Sequence, residues 1–204
     1  MVASVLSCKS KPTSPAWRPL FDGKTTDGWA MAGPGSFSVE NGELVTHGGM
    51  GLLWYTREPF GHCQIRVVFM LTSDADNSGV FIRIREPPQT AWDGVHHGYE
   101  VQIDNHGDAW HRTGVLYSLT EAQSNVSPQP GSWSTMLVTL DGPRTIVDID
   151  GHRVTDFREG DPVPPRTETW EPERGPRPDV GFIGLQNHGG AVRVHFKDVS
   201  IRAL

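Results

Sequence analysis

Glutamate, glutamine and aspartate alternate with apolar residues in the segment 99–104 (YEVQID). Because successive side chains of a β-strand point to opposite faces, Glu100, Gln102 and Asp104 should share one face while the apolar residues face a core. Carboxylates and amides are strong hydrogen-bonding groups, and a carboxylate can also transfer a proton. The segment therefore predicts a polar row suited to a hydroxyl-rich ligand.

Two further segments extend this polar surface. In the segment 79–85 (GVFIRIR), strict alternation directs Arg83 to the face opposite the valine and isoleucines, and in the segment 181–188 (GFIGLQNH) Gln186 and His188 share a side. An ordinary solvated outer face is the alternative, but such faces usually carry Lys, Glu and Thr. The Arg, Gln, Asn and His side chains found here favour a concave ligand-binding sheet.

Glu100 and His188 are the best candidates for acid and base catalysis. Either group can titrate near neutrality if burial or a charged neighbour shifts its pKa. Glu100 and Asp104 cannot form the carboxyl pair of an ordinary glycosidase, because four residues along one strand separate them by about 13 Å. Such pairs lie about 5–5.5 Å or about 6.5–9.5 Å apart.

The remaining candidates are side chains that could bind a substrate. Arg83 could bind or polarise an oxygen atom, although a structural ion pair with Glu100 is the alternative, because planar Arg–carboxylate pairs are common. Amides can bind hydroxyl groups and aromatic rings can stack on the apolar face of a sugar. The candidates of these two kinds are Gln102, Gln186 and Asn187, and Trp92 and Tyr117.

The nine histidines raise the question of a metal. No HxH or HExxH pattern fixes several ligands on one element, and the adjacent His96 and His97 would point in different directions. We expect no cofactor, and a divalent metal stays open as an alternative. Its first candidate ligands would be Glu100, His96 and His188.

Composition favours β structure and excludes several classes of partner. The 204 residues include 23 Gly and 16 Pro, and the net charge of −6 offers no basic face for nucleic acid. No apolar stretch approaches the roughly 20 residues that span a bilayer. Cys8 and Cys63 lie far apart and indicate neither a disulfide framework nor a cysteine metal site.

Short alternating runs separated by Gly, Asn and Asp predict about ten strands in one domain over residues 17–204. The predicted strands are 37–39, 43–46, 64–71, 79–85, 99–103, 114–117, 134–140, 145–149, 181–186 and 191–202. Asn41-Gly42 and Asp150-Gly151 are typical of hairpin turns. Helix should be scarce, with one turn around 118–123. The Pro-rich stretch 158–178 predicts a long surface loop, either an ordered lid or a disordered insertion.

Seven strings along the chain carry a family resemblance. They are LFDGKTTDGW (20–29), SGVFIR (78–83), GYEVQIDN (98–105), TGVLY (113–117), GSW (131–133), DGHRV (150–154) and GFIGLQNHG (181–189). The chain resembles the 3-keto-disaccharide hydrolase family of the concanavalin A-like lectin/glucanase superfamily. The resemblance implies an all-β jelly-roll sandwich of two antiparallel sheets, a concave carbohydrate-binding face, and cleavage of glycosides already oxidised to a ketone at C3.

Three functions are consistent with these observations. The first is an enzyme that cleaves 3-keto-glycosides by proton abstraction, elimination and hydration, with Glu100 and His188 transferring protons. The second is a lectin-like module that uses the same polar and aromatic side chains for recognition alone. A structural adhesion domain is the third.

Residues 1–16 are interpreted as a disordered tail or the remnant of a leader. If an upstream leader has been removed, the domain would be secreted, periplasmic or anchored by a lipid on Cys8; if Met1 is the native start, a cytoplasmic location is favoured.

Overall fold

The computed structural model describes residues 15–204, and two antiparallel sheets face each other across a common core. The all-β sandwich predicted from the sequence is therefore confirmed. The expectations for residues 1–14, including the lipid attachment at Cys8, lie outside the described residues. Within the described part, no helix is long and apolar enough to cross a membrane.

The larger sheet has the strand order β11-β10-β9-β6-β13-β4-β3, with β1 also paired to β13. Its strands are β1 (Arg18–Pro19), β3 (Ser36–Glu40), β4 (Glu43–His47), β6 (Cys63–Leu71), β9 (Ser134–Asp141), β10 (Arg144–Ile149), β11 (His152–Arg158) and β13 (Val194–Ala203).

The smaller sheet has the order β2-β5-β12-β7-β8 and carries the polar segments singled out in the sequence. Its strands are β2 (Trp29–Ala32), β5 (Gly51–Tyr55), β7 (Asn77–Ile84), β8 (Tyr99–Asp104) and β12 (Phe182–Asn187). A short helix, α1 (Ala91–His97), connects β7 to β8.

Two tight turns form as their residue types predict. Asn41 and Gly42 have φ values of 52° and 86° between β3 and β4, and Asp150 and Gly151 have 49° and 82° between β10 and β11. Positive φ at both central positions matches the twist of a two-residue hairpin, and glycine adopts it without steric cost.

Both faces of the smaller sheet carry buried apolar side chains. Leu53 packs into the core between the sheets, whereas its neighbour Leu52 packs with Phe81 in a second apolar cluster on the opposite face. Helix α1 covers that cluster with Val95, and the backbone of Gly94 lies so close to the Phe81 ring that a Cβ atom would approach its Cγ to 2.9 Å. The helix thus closes one part of the outer face and leaves the rest open.

The structure corrects several local predictions. The segment 114–117, predicted as a strand, forms turns and one isolated bridge, and no helix forms at 118–123. The helix lies at 91–97 instead, where the Asp93 carboxylate accepts the Gln89 and Thr90 amides at 2.7 and 2.8 Å and satisfies donors at the helix start. Strands β1, β2, β5 and β11 were not predicted.

Candidate active site

The open part of the smaller sheet forms the floor of a cleft of about 470 Å³. This volume lies in the range of small-molecule sites. The floor carries polar side chains from three adjacent strands, β7, β8 and β12, which the sequence places at alternate positions. These side chains are Asn77, Glu100, Gln102, Asp104 and Gln186, and His188 follows directly after β12.

Glu100 is the acidic group most deeply buried in the cleft, with 6% of its surface exposed. It forms no ion pair with any residue of the described chain. Its neighbours are amides: the Gln102 side chain, with its nitrogen toward the carboxyl, donates to Glu100 Oε1 at 2.9 Å and to the Ser78 carbonyl at 3.3 Å. Burial raises the pKa of Glu100 to about 8, while a hydrogen bond from Gln186 acts in the opposite direction.

Gly79 provides the space that the Glu100 carboxyl occupies. It pairs with Gln102 across β7 and β8, and a Cβ atom at position 79 would lie 2.5 Å from Glu100 Oε1. No side chain larger than a hydrogen atom fits there unless the carboxyl moves. Glycine at position 79 therefore lets the Glu100 carboxyl lie directly against the backbone of β7.

Gly79→Ala should displace the Glu100 carboxyl and lower about 100-fold any activity that depends on its position, since a misplacement of about 1 Å has an effect of that size. The cost in the free energy of unfolding should stay at about 1–3 kcal/mol, as is usual for overpacking. Steady-state kinetics and urea unfolding measure the two effects. Gly184→Ala, where a Cβ would meet Leu52 and the backbone of β5 rather than Glu100, is the control. Equal activity losses in both variants would contradict the role given to Gly79.

Two amide oxygens on the floor of the cleft are buried without a hydrogen-bond partner in the described chain, Asn77 Oδ1 and Gln186 Oε1. The Asn77 amide nitrogen is already engaged, because it donates to Asp104 Oδ2 at 3.1 Å. A buried acceptor without a partner costs about 1–3 kcal/mol. Hydroxyl groups of a ligand would satisfy both oxygens.

Tyr117 forms the wall beside Glu100. Its backbone amide donates to the Glu100 carbonyl at 2.9 Å, which holds the segment along the free edge of β8. Its ring lies 5.0 Å from the ring of His111, which is itself 2.9 Å from Ser118 Oγ and 2.7 Å from Asp108 Oδ1. Burial and the nearby Glu100 raise the pKa of Tyr117, so its phenol stays protonated and can donate a hydrogen bond.

His188 lines the same cleft but lies across it from Glu100. Glu100 lies opposite Phe81 of β7, and Phe81 lies opposite Gly184 of β12, which precedes His188 by four residues. Two strand spacings and four residues along a strand therefore separate Glu100 from His188. The corresponding distance between Cα atoms is roughly 16 Å. The two groups can therefore act on one ligand from opposite ends but cannot exchange a proton directly.

The segment between β11 and β12 covers the cleft as a lid. Its residues Glu168, Trp170 and Glu171 line the cleft. Two arginines hold this segment through backbone oxygens. Arg174 donates to the carbonyls of residues 118, 164, 165 and 172, and the buried Arg177 donates to those of residues 96, 98, 173 and 175. The many prolines thus occur in an ordered loop that is held largely by hydrogen bonds from arginine side chains.

Arg83 does not reach the cleft, which corrects its predicted role in substrate binding. Phe182 pairs with Ile84 and Gly184 with Phe81, so two residues of β7 oppose one of β12 in a β-bulge. Arg83 has a φ of 54°, and its side chain is fully buried. Its guanidinium donates to Thr145 Oγ1 and to the carbonyls of residues 142, 144 and 178. The alternative ion pair with Glu100 does not form either.

Asn187 is also structural, which corrects its prediction as a hydroxyl ligand. Its amide donates to the Ser36 and His47 carbonyls at 3.4 and 2.6 Å, and its Oδ1 accepts the Gly189 amide at 3.1 Å. The side chain is fully buried. It joins the end of β12 to β3 and β4, whereas its neighbours Gln186 and His188 line the cleft.

The three candidate metal ligands named from the sequence, Glu100, His96 and His188, do not lie together. Glu100 and His188 line the cleft, but His96 lies on the other side of Trp92, against which its ring stacks at 5.7 Å. Within residues 15–204 no group of three or more His, Cys, Asp and Glu side chains is placed to hold a metal ion. The described side chains therefore do not fit the metal site considered from the sequence.

Several residues of the cleft were not predicted as site residues. Asn77 begins β7 two residues before Gly79, so a longer predicted strand would have placed it on the polar face. His111, Glu168 and Trp170 come from loops, whose positions depend on contacts distant in the sequence. Only the presence of a tryptophan in the Pro-rich stretch pointed to an ordered lid.

Known structures of low sequence identity share this fold. A candidate glycosyl hydrolase from Parabacteroides distasonis has a TM-score of 0.74 at 24% identity, with 93% of this chain and 100% of that chain covered. The carbohydrate-binding module CBM66 from Bacillus subtilis has a TM-score of 0.58 at 12% identity, with 86% and 96% covered. No curated protein matches. The family model described as a 3-keto-alpha-glucoside-1,2-lyase-like domain matches residues 16–202, so the predicted resemblance is confirmed and the chain belongs to this family of carbohydrate-active domains.

Proposed function

We propose that the chain is an enzyme that cleaves the glycosidic bond of 3-keto-glycosides, with Glu100 as the base that removes the proton from C2. The C3 ketone acidifies this proton, and the enolate that forms can expel the group on C1. Family membership supports a carbohydrate-active role, and the surroundings of Glu100 support this chemistry within it.

The reaction balances as an elimination followed by a hydration. Glu100 takes the C2 proton, the electrons of the C–H bond form the C1=C2 double bond, and the bond from C1 to the leaving oxygen breaks. That oxygen receives a proton from an acid. Water then adds its oxygen to C1, and C2 regains a proton, so the net reaction is hydrolysis and needs no redox partner.

The observation that carries the proposal is a buried carboxyl group without a cation beside it. A carboxylate with a pKa near 8 is a stronger base than an ordinary carboxylate, because basicity follows the pKa. A lectin would gain nothing from such a group. Burying an ionisable side chain without a cation beside it destabilises its charged form, and sugar recognition does not require a shifted pKa.

The other side chains of the cleft have complementary roles in this proposal. The Tyr117 phenol, beside Glu100, donates to the ketone oxygen as negative charge develops on it. His188, across the cleft, protonates the leaving oxygen. Asn77 and Gln186 accept hydrogen bonds from sugar hydroxyls through their oxygens without partners.

The test compares a nitrophenyl 3-keto-glucoside with the same glucoside unoxidised at C3. We expect release of nitrophenolate from the keto compound alone, because only its C2 proton is acidic. Release from both compounds at similar rates would contradict elimination. No release from either, with binding of the unoxidised glucoside, would support the lectin-like alternative.

The pH dependence of turnover should follow the ionisation of Glu100. Its pKa in the folded protein is raised to about 8, and a base must be ionised to act. With the nitrophenyl substrate, whose leaving group departs without an acid, kcat/KM should therefore rise with pH up to about 8 and level off above it. Initial rates across the neutral and alkaline range measure this. A profile that falls through neutrality as pH rises would instead indicate that Glu100 acts as an acid.

A further inference from the structure

A second, shallower cavity of about 370 Å³ adjoins the cleft. It is lined by Trp92, His96, Thr169 and Trp170. Trp92 and Trp170 also line the main cleft, so the two indole rings lie between the cavities and belong to both. A ligand that extends out of the cleft past these rings would enter the second cavity directly.

Both indoles are unusually exposed for their size. Trp92 is 43% and Trp170 is 52% exposed, and only Val180 and Leu204 among the described large hydrophobic residues are comparable. Exposed tryptophan beside a pocket is typical of a binding surface, because its large apolar area stays unfavourably exposed to water until a partner covers it.

The Trp92 ring is packed against a neighbouring ring, and the lid segment that carries Trp170 is held by hydrogen bonds. Trp92 stacks on His96 with an angle of 16° between the ring planes, which leaves its other face open. Trp170 belongs to the lid, where Glu171 accepts the Thr167 amide at 3.1 Å and the Arg174 guanidinium at 3.0 Å. Ordered aromatic rings lose little conformational entropy when a ligand binds.

We propose that Trp92 and Trp170 form a second subsite, which binds a neutral pyranose ring as the leaving-group half of a disaccharide substrate. The assignment rests on the proposed function, because Glu100 requires the ring with the C2 proton to lie in the main cleft. The other ring of the substrate then lies beyond the two indoles.

The chemistry of the subsite selects this occupant. The C–H groups on one face of a pyranose ring pack on an indole, and the Thr169 hydroxyl offers both a donor and an acceptor to the ring hydroxyls. Glu168 lines the adjoining cleft and the Arg166 guanidinium acts on His96, so charges of both signs flank the subsite and a neutral leaving group suits it best.

The kinetic test compares a 3-keto disaccharide with methyl 3-keto-glucoside, which lacks the second ring. Trp170→Ala and Trp92→Ala should each lower the ratio of kcat/KM for the disaccharide to that for the methyl glycoside about 10-fold. Trp133→Ala is the control, because this ring lies against Lys197 far from the cleft and its loss should leave the ratio unchanged. Unchanged ratios in both subsite variants would overturn the proposal.

A binding test separates this proposal from the proposed function. Calorimetry with an unoxidised disaccharide and with methyl glucoside requires no turnover. We expect tighter binding of the disaccharide by the wild type and loss of that preference in Trp170→Ala, even if no keto-glycoside is cleaved. If the variants lose affinity only for nitrophenyl glucoside and not for the disaccharide, the occupant is a planar aglycone and the pyranose assignment is wrong.

Discussion

Glu100→Gln should lower turnover of 3-keto-glycosides by a factor of about 100 to 10,000, the range for loss of a positioned general base. Glutamine has nearly the same shape and cannot ionise, so it retains the packing and removes the proton transfer. Because burial already favours the uncharged form of Glu100, the substitution should not destabilise the fold at neutral pH. Stopped assays of product release measure the loss.

The matched control for this prediction is Glu43→Gln. Glu43 also lies in a strand, but in the larger sheet, where its carboxylate is 2.8 Å from His195 Nδ1. Its turnover should equal that of the wild type. If Glu100→Gln kept activity within about 3-fold of the wild type, Glu100 could not be the base, whatever the control shows.

Arg83→Met should lower the free energy of unfolding by about 3–5 kcal/mol. The guanidinium joins the bulge of β7 to the turn between β9 and β10 through the carbonyls of Gly142 and Arg144. It also holds the Pro178 carbonyl at 3.0 Å. Methionine fills much of the volume but leaves these oxygens without donors. Urea unfolding followed by tryptophan fluorescence measures the loss.

Two further variants show whether the effect belongs to the buried guanidinium. Arg85→Met removes an exposed arginine two residues away and should change stability by less than about 0.5 kcal/mol. Arg83→Lys should lower the free energy of unfolding by less than Arg83→Met does but still measurably, because one ammonium group cannot reach the same set of oxygens. Equal losses at positions 83 and 85 would contradict the structural role given to Arg83.

The sequence predicts much of the sandwich because its physical signals are local. Strands β6, β9 and β10 alternate with period two, and each was predicted to within about a residue of its bounds. The turns at Asn41-Gly42 and Asp150-Gly151 follow from residues that accept positive φ. Strands β2 and β5 lack clear alternation because both faces of the smaller sheet carry buried apolar side chains, so they were missed.

The predictions about the site failed where the backbone departs from regular geometry. Strict alternation places Arg83 beside Glu100, but one extra residue in the bulge turns Arg83 toward the larger sheet. No residue type in the segment 79–85 signals a bulge, since Arg83 adopts a positive φ without being glycine or asparagine. Glu100 and Gln102, in the regular strand β8, lie on the predicted face.

The walls of the cleft could not be predicted from local patterns. Tyr117 was chosen by residue type, and its position beside Glu100 depends on a backbone bond to the edge of β8. Trp170 reaches the cleft because Arg174 and Arg177 fold the lid through contacts with residues up to about 80 positions away. Such long-range contacts leave no periodic trace in the sequence.

The most direct test of proton abstraction at C2 is cleavage of a 3-keto-glucoside in deuterated water, with mass analysis of the first product formed. Elimination followed by hydration takes the new C2 hydrogen from solvent, so the released 3-keto-glucose should be one mass unit heavier after its hydroxyl deuterons are exchanged back in ordinary water. The same sugar incubated with Glu100→Gln corrects for spontaneous exchange. Product released with its original C2 hydrogen, together with no primary isotope effect on cleavage of a substrate deuterated at C2, would show direct hydrolysis at C1 and contradict the role of Glu100.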